Sequence, residues 1–194
     1  MFEPSQDATF TGYAIVSAEG FIADGDGVMP DSLRFDADWA YFQAALDEAD
    51  VALMGRHTHE AAPNIKRRRR VVVSRSVRGL IQENTHTWWA NPDQIISEAV
   101  FSALPAPNRH VAVVGGTRVF DWVRSGPGFS AFHLSVARNV RLGGGRPVFK
   151  GAHNLSEMTS LIKEHGLKLE RRVWLDRPAG LELLVYAAPD PGSS

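Results

Sequence analysis

Short apolar runs alternate along the chain with stretches whose apolar residues recur at helical spacing. Three runs are nearly continuous, as expected for central strands of a parallel sheet that is covered on both faces: Val51–Met54, Val71–Ser74 and Val111–Val114. Two more runs of strand length occur at Tyr13–Val16 and Phe132–Val136. This alternation predicts a parallel α/β core.

Two stretches between these runs predict helices. Asp36–Ala49 carries one apolar stripe, made of Trp39, Phe42, Leu46 and Ala49. The triplet Asn91-Pro92-Asp93 combines a capping residue, a proline and an acid, which predicts that a second helix begins there and ends before Pro105.

The C-terminal part predicts a different arrangement. Arg172–Leu175 and Leu181–Tyr186 flank the turn-rich segment Asp176–Gly180, which indicates an antiparallel hairpin. No internal repeat and no long linker divides the chain, so we expect a single domain over residues 1–194.

A glycine pair inside the segment Val111–Val123 is the strongest functional signal. Gly115-Gly116, the glycine turn, follows an apolar strand, and Thr117 can cap a helix that carries Val119, Phe120 and Val123 at helical spacing. Glycines let a backbone approach an anion closely, and the N–H groups at a helix start attract it. The alternative is a tight strand-to-helix turn without a ligand.

Composition narrows the function classes. The chain has 194 residues, a formal net charge of -1 and no cysteine, which excludes disulfides, cysteine zinc sites and thiol catalysis. The absence of cysteine fits a reducing compartment, and the acidic start Met1–Asp7 lacks signal-peptide features, so we expect a cytoplasmic protein. A net charge so close to zero does not favour binding to nucleic acid or to an anionic membrane. His57 and His59 stand two apart and do not face each other on a helix, so we expect no metal site.

Four segments together with the glycine turn resemble the dihydrofolate reductase superfamily. They are the opening Gly12–Ala23, the motif Gly55-Arg56-x-Thr58, the strand end Ser74-Arg75 and the glycine loop in Leu142–Phe149. The chain is most similar to the reductase domain of bacterial riboflavin biosynthesis and its stand-alone relatives, from about Thr9 to Tyr186. The resemblance implies a three-layer α/β/α fold with a mixed, mainly parallel sheet, an NADPH cofactor and a homodimer formed through the C-terminal strands.

The resemblance also implies cofactor-binding residues and a cis peptide within the glycine turn. The pyrophosphate would lie at Gly55, Arg56 and Thr58, and the adenosine 2′-phosphate at Ser74 and Arg75. A second phosphate turn would comprise Gly115, Gly116, Thr117, Arg118 and Val119, and the nicotinamide would meet Ile15, Ile22 and Ala23.

One acidic residue matches the position of the buried carboxylate that handles protons in dihydrofolate reductases. Asp38 precedes Phe42 by four residues, as in that pattern, so it is our candidate catalytic acid; the alternative is that Asp38 or Asp36 caps the helix. The family's tryptophan after the loop proline is missing, since Asp31 follows Pro30, which puts folate itself in doubt.

We therefore expect an NADPH-dependent reductase acting on a pterin, an aminopyrimidine-like ring or a small carbonyl compound. Two other functions stay open: a nucleotide-binding module of the same fold without turnover, and a nucleic-acid binder that uses the basic run Lys66–Arg70.

Overall fold

The computed structural model describes residues 8–189; the acidic start and the last five residues of the sequence lie outside this range. Its eleven strands are β1 (Thr9–Ser17), β2 (Phe21–Ala23), β3 (Val51–Gly55), β4 (Arg70–Val73), β5 (Leu80–Asn84), β6 (Thr87–Ala90), β7 (His110–Gly115), β8 (Ala131–Ala137), β9 (Arg146–Pro147), β10 (Lys168–Asp176) and β11 (Leu181–Ala187). Its five α-helices are α1 (Asp36–Glu48), α2 (Arg56–Ala61), α3 (Ser97–Ala103), α4 (Thr117–Ser125) and α5 (Leu155–Glu164).

Nine of the strands in the described range form one mixed sheet in the order β10-β11-β8-β1-β7-β3-β4-β6-β5. The six strands from β8 to β6 run parallel, whereas β11, β10 and β5 join antiparallel. The predicted fold class, a mainly parallel sheet that ends in an antiparallel hairpin, is confirmed.

Helices cover the sheet on both faces. Val100 of α3, Phe120 of α4 and Met158 of α5 pack into the larger apolar core on one face. Leu46 of α1 packs on the other face, against Tyr13 of β1 and neighbouring residues of β3 and β7. Side chains alternate across each strand, so β1 contributes to both cores.

All five apolar runs are strands. Four of them extend beyond the predicted bounds, whereas β4 begins one residue earlier than predicted and ends at Val73, which leaves Ser74 outside the strand. The C-terminal hairpin is also confirmed. Its turn is closed by the Asp176 carboxylate, which accepts a hydrogen bond from the N–H of Ala179 at 3.0 Å, and by Gly180 with φ +74°.

The predicted helix start at Asn91 is wrong, because α3 begins six residues later at Ser97. The Asn91 side chain instead holds a turn: its Oδ1 accepts from the N–H of Asp93, and its Nδ2 donates to the carbonyl of Val77 at 2.8 Å. Ile96 then has extended backbone angles, which stop the turn from continuing into α3.

Strands β5 and β6 are elements that the apolar pattern did not predict. Four of the five residues of β5 are exposed, as befits a strand at the sheet edge, so no apolar alternation marks it. Among the described residues no helix is long and apolar enough to cross a membrane.

Candidate functional site

Three neighbouring parallel strands end side by side at one edge of the sheet. Gly55 at the end of β3 pairs with Val73 of β4, and Met54 pairs with Gly115 at the end of β7. The segments that follow these strands therefore meet at the carboxyl edge, where open α/β sheets place their ligand sites.

The two residues of the glycine turn have different environments. Gly115 has φ +95°, and a Cβ there would lie 2.5 Å from Cε2 of Phe120, so both the backbone and the core require glycine. Gly116 has φ −78°, and a Cβ there would meet only Cδ1 of Ile22, at 4.0 Å. The space above Gly116 is open. The peptide between them is cis, as the resemblance implied.

Helix α4 begins directly after the glycine turn, with Gly116 at its N-cap. The prediction that Thr117 caps this helix is wrong: Thr117 is its first residue, and its hydroxyl donates to the carbonyl of Pro147 at 2.6 Å. Arg118 is exposed. Val119 is buried, and its N–H donates to the carbonyl of Gly116, so the outward N–H groups of the first turn belong to Thr117 and Arg118.

The segment after β4 carries a hydroxyl pair and a cation. Ser74 is buried, and its Oγ lies 2.7 Å from Oγ of Ser76 and also accepts from the N–H of that residue. Arg75 is exposed, and no described residue forms an ion pair with its guanidinium. This cation is available to a ligand.

The segment after β3 is the short helix α2, with Gly55 at its N-cap. Nε of Arg56 lies 3.7 Å from a carboxylate oxygen of Glu60, and both side chains are about half exposed. Thr58 lines the cavity described next.

The two histidines of α2 differ in exposure. His57 is 88% exposed, and its Nδ1 lies 3.8 Å from a carboxylate oxygen of Glu60. His59 packs edge-on against Trp89, and burial lowers its pKa. Within the described residues no group of three or more metal-ligating side chains comes together.

A cavity of about 570 Å³ opens between the sheet, α1 and the glycine turn. This volume is typical of small-molecule sites. Six residues singled out in the sequence come together in its lining: Ile15, Ile22, Ala23, Asp38, Thr58 and Gly116. Gly55 lies just behind this lining, and a Cβ added to it would be 3.7 Å from the carbonyl oxygen of Gly115.

Asp38 lies in the first turn of α1 and faces this cavity. Its carboxylate hydrogen-bonds with the hydroxyl of Ser135 on β8. Burial raises the pKa of Asp38, and the bond from Ser135 opposes that shift only in part. The N-cap position of α1 is Phe35, and no side chain caps the helix, so neither Asp38 nor Asp36 has the capping role that was the alternative.

A tyrosine–histidine pair lies beside Asp38 and was not anticipated. The hydroxyl of Tyr41 on α1 lies 2.6 Å from Nδ1 of His133 on β8. Burial lowers the pKa of His133 to about 4, with a further contribution from the charge of Arg171, so the imidazole is neutral at pH 7. Burial also raises the pKa of Tyr41. The hydroxyl of Tyr41 therefore stays protonated, and it shares one hydrogen bond with Nδ1 of the neutral imidazole.

The basic run Lys66–Arg70 is largely bound within the protein. Lys66 and Arg68 both pair with Asp47, at 2.7 and 2.5 Å. Arg69 donates to the carbonyls of Pro105 and Pro107, and buried Arg70 donates to the carbonyl of Ala62. Only Arg67 of the run projects without such a partner among the described residues.

Comparison with known proteins identifies the fold but no family. The sequence matches no family model and no curated protein significantly. A structure from Shewanella sp. PV-4, described provisionally as a riboflavin biosynthesis protein, superimposes with a TM-score of 0.67 at 17% identity, over 94% of this chain and 99% of that one. A diaminohydroxyphosphoribosylaminopyrimidine deaminase/5-amino-6-(5-phosphoribosylamino)uracil reductase from Thermotoga maritima gives a TM-score of 0.64 at 17% identity, over 95% of this chain and 57% of that one. This chain thus has the dihydrofolate reductase-like fold of both structures and spans little more than half of the Thermotoga protein.

Proposed function

We propose that this protein is an NADPH-dependent reductase that transfers hydride to an electrophilic carbon of a small heterocyclic or carbonyl substrate. The observation that carries the proposal is the open space above Gly116, which leads into a cavity with the Asp38 carboxylate in its lining. The shared fold with a protein named as a uracil reductase supports the same reaction class.

The residues at the sheet edge fit a dinucleotide with a 2′-phosphate. The N–H groups of Thr117 and Arg118 suit phosphate oxygens, and the missing side chain at Gly116 leaves room for them. The free guanidinium of Arg75, beside the Ser74 hydroxyl, suits a dianionic phosphate. Ile15 and Ile22 offer apolar surface for a flat ring within the cavity.

The bound cofactor would supply the hydride from its nicotinamide ring. Asp38 would hold or relay the proton that the substrate gains, because burial raises the pKa of its carboxyl and so favours the protonated form. Ser135 would fix the rotamer of that carboxyl through its hydrogen bond. Water is the other possible proton source.

The Tyr41–His133 pair would hold the wall of the site next to the carboxyl. The hydrogen bond between the Tyr41 hydroxyl and Nδ1 of the neutral imidazole ties the His133 ring to α1. Tyr13 packs edge-on against the same imidazole, with ring centroids 4.9 Å apart. The pair thus links α1 to β8 across the cavity.

Two measurements on the full chain test the proposal. Isothermal titration calorimetry should show that NADPH binds, and NADPH oxidation should follow when pterins, aminopyrimidines and simple carbonyl compounds are screened as substrates. Failure to bind NADPH or NADH would contradict the proposal. Tight binding without oxidation by any compound would favour the nucleotide-binding module without turnover.

A further inference from the structure

The loop between β4 and β5, residues 74–79, connects a buried strand to an edge strand and carries Arg75. The guanidinium of this arginine is exposed and forms no ion pair with a described residue. An arginine on a loose loop loses much conformational freedom when it binds a ligand, and this loss weakens the contact. The selectivity that Arg75 can give therefore depends on how firmly this loop, the Arg75 loop, is held.

A buried asparagine outside the Arg75 loop holds it in place. Asn91, which directly follows β6, is only 5% exposed. Its Nδ2 donates to the carbonyl of Val77 at 2.8 Å and, more weakly, to the carbonyl of Arg75 at 3.4 Å. Its backbone N–H donates to the carbonyl of Gly79 at 2.8 Å. Asn91 thus binds the loop at the arginine itself and at two points beyond it.

The two ends of the Arg75 loop are fixed as well. The N–H of Ser74 donates to the carbonyl of Ala90 at 3.0 Å, and Oγ of Ser74 lies 2.7 Å from Oγ of Ser76. At the other end, the N–H of Gly79 donates to Oε1 of the exposed side chain of Gln94 at 2.9 Å. The backbone on both sides of the arginine is therefore held before any ligand binds.

The Asn91 amide uses its acceptor and its donor for different purposes. Oδ1 accepts from the N–H of Asp93 at 3.0 Å and shapes the local turn, whereas Nδ2 reaches across 14 positions of sequence to Val77. Because a buried amide without partners costs free energy, these bonds fix the orientation of the side chain. A residue that lacks the donor could keep the turn but could not hold the Arg75 loop.

We infer that Asn91 is a positioning residue for the selection of NADPH over NADH, because it holds the Arg75 loop where the guanidinium can meet the 2′-phosphate. The inference rests on the proposed function, since it takes NADPH as the ligand of Arg75. Asn91 acts on the nucleotide only through the loop. Its loss should therefore change the preference between the two nucleotides and leave the affinity for the part that they share.

Calorimetric titration of the full chain with NADPH and with NADH tests this role in Asn91→Ser. A serine hydroxyl can still accept from the N–H of Asp93, but it is too short to reach the carbonyl of Val77. NADPH affinity should fall roughly three- to tenfold through loss of preorganisation at one side chain, and NADH affinity should stay within about twofold. Asn108→Ser is the matched control, because Nδ2 of Asn108 also donates to two carbonyls, at the C-terminal end of α3. It should leave both affinities unchanged.

Two further variants separate positioning from a general loss of structure. Gln94→Ala removes a bond at the far end of the Arg75 loop from an exposed side chain, so it should lower the preference for NADPH by a smaller factor. It carries the test if Asn91→Ser does not fold, which thermal unfolding shows. In Arg75→Ala protein, Asn91→Ser should lower NADPH affinity no further, because two residues that act through one contact are not additive.

Three results would overturn the inference: equal losses for NADPH and NADH in folded Asn91→Ser, an unchanged NADPH affinity, or the same loss with and without Arg75. The proposed function is tested separately, by NADPH oxidation in the substrate screen. Selectivity that depends on Asn91, without oxidation of NADPH by any compound, supports the inference and rejects the reductase. Oxidation of NADPH with selectivity that does not depend on Asn91 rejects the inference alone, and failure to bind either nucleotide rejects both.

Discussion

The two ends of the cavity are lined by different chemical groups. At the glycine turn the lining is backbone, the first N–H groups of α4 point outward, and Arg118 in the first turn of α4 is exposed. At the α1 end the lining is aromatic side chains around the carboxyl of Asp38, and two of the lining cations, Lys66 and Arg68, pair with Asp47. The two ends therefore differ in chemistry: the glycine-turn end offers backbone N–H groups, and the α1 end offers aromatic rings and one carboxyl.

The largest effects should separate the two glycines of the turn. Gly116→Val should leave a folded protein that no longer binds NADPH measurably, because the side chain would fill the open space above the turn. Gly115→Ala should instead destabilise the fold by about 2–4 kcal/mol, because φ is +95° and the added Cβ would overlap the Phe120 ring.

Urea unfolding and nucleotide titration of both variants check this pair. If folded Gly116→Val protein bound NADPH with the affinity of the unmodified protein, the phosphates of NADPH would not bind at the glycine turn. Equal stability of Gly115→Ala and the unmodified protein would show that the core tolerates the side chain.

The next effect concerns the α1 end. Asp38→Asn should lower turnover roughly a hundredfold and remove one ionisation from the pH–rate profile, because a positioned acid contributes at least about that much. NADPH affinity should stay nearly unchanged. Asp36→Asn is the matched control, since Asp36 is an exposed acid in the same helical turn. If Asp38→Asn had the same turnover as the unmodified protein at every pH, water would be the source of the proton.

The same Asp38 substitution has an opposite effect on stability. The folded-state pKa of Asp38 is raised, so the folded protein binds more protons than the unfolded chain, and this group costs stability as pH rises through the folded-state pKa. Asp38→Asn should therefore be as stable as the unmodified protein or more stable at pH 7. Loss of stability at pH 7 would show that the carboxylate has a structural role. Thermal unfolding at several pH values measures it.

A smaller effect should follow from Arg75→Ala, on the segment after β4. NADPH affinity should fall roughly ten- to a hundredfold through loss of a charge-assisted contact worth about 1.5–3 kcal/mol, and NADH affinity should change little. Arg177→Ala, in the exposed turn between β10 and β11, controls for the loss of any surface cation. Equal losses for both nucleotides would show that Arg75 does not select the 2′-phosphate.

A last effect is a pH dependence of stability from His133. Its folded-state pKa of about 4 lies below the ordinary value of 6.5, so the unfolded chain takes up a proton first as pH falls, and stability declines between pH 6.5 and 4. We expect this decline to be about 2–4 kcal/mol and to vanish in His133→Asn. His57→Asn, at a highly exposed histidine, should keep it. The same decline in both variants would assign it to other groups.

The geometry of the glycine-turn end could be anticipated because its signals are local in sequence. A strand, two glycines and the start of a helix lie within Val111–Val123, and the segments after β3 and β4 have similarly short patterns. Apolar runs identified the central strands for the same reason: a strand that is buried on both faces is apolar at nearly every position. The edge strand β5 has one half-buried residue and left no such pattern.

The α1 end could be anticipated only in part, because it depends on distant contacts. Asp38 was found through its spacing to Phe42, but its partner Ser135 lies on β8, and Tyr41 and His133 are 92 positions apart. The helical stripe with Trp39 and Phe42 suggested core packing, yet Trp39 is 59% exposed at the cavity mouth. Sequence spacing on one element cannot reveal which residues of another element face it.

A crystal structure of the protein soaked with NADPH tests the central claim most directly. The account predicts phosphate oxygens against Gly116 and the N–H of Thr117, the nicotinamide beside Ile22, and open space between that ring and Asp38. A nucleotide bound elsewhere, or one whose phosphates lie beside Asp38, would contradict it.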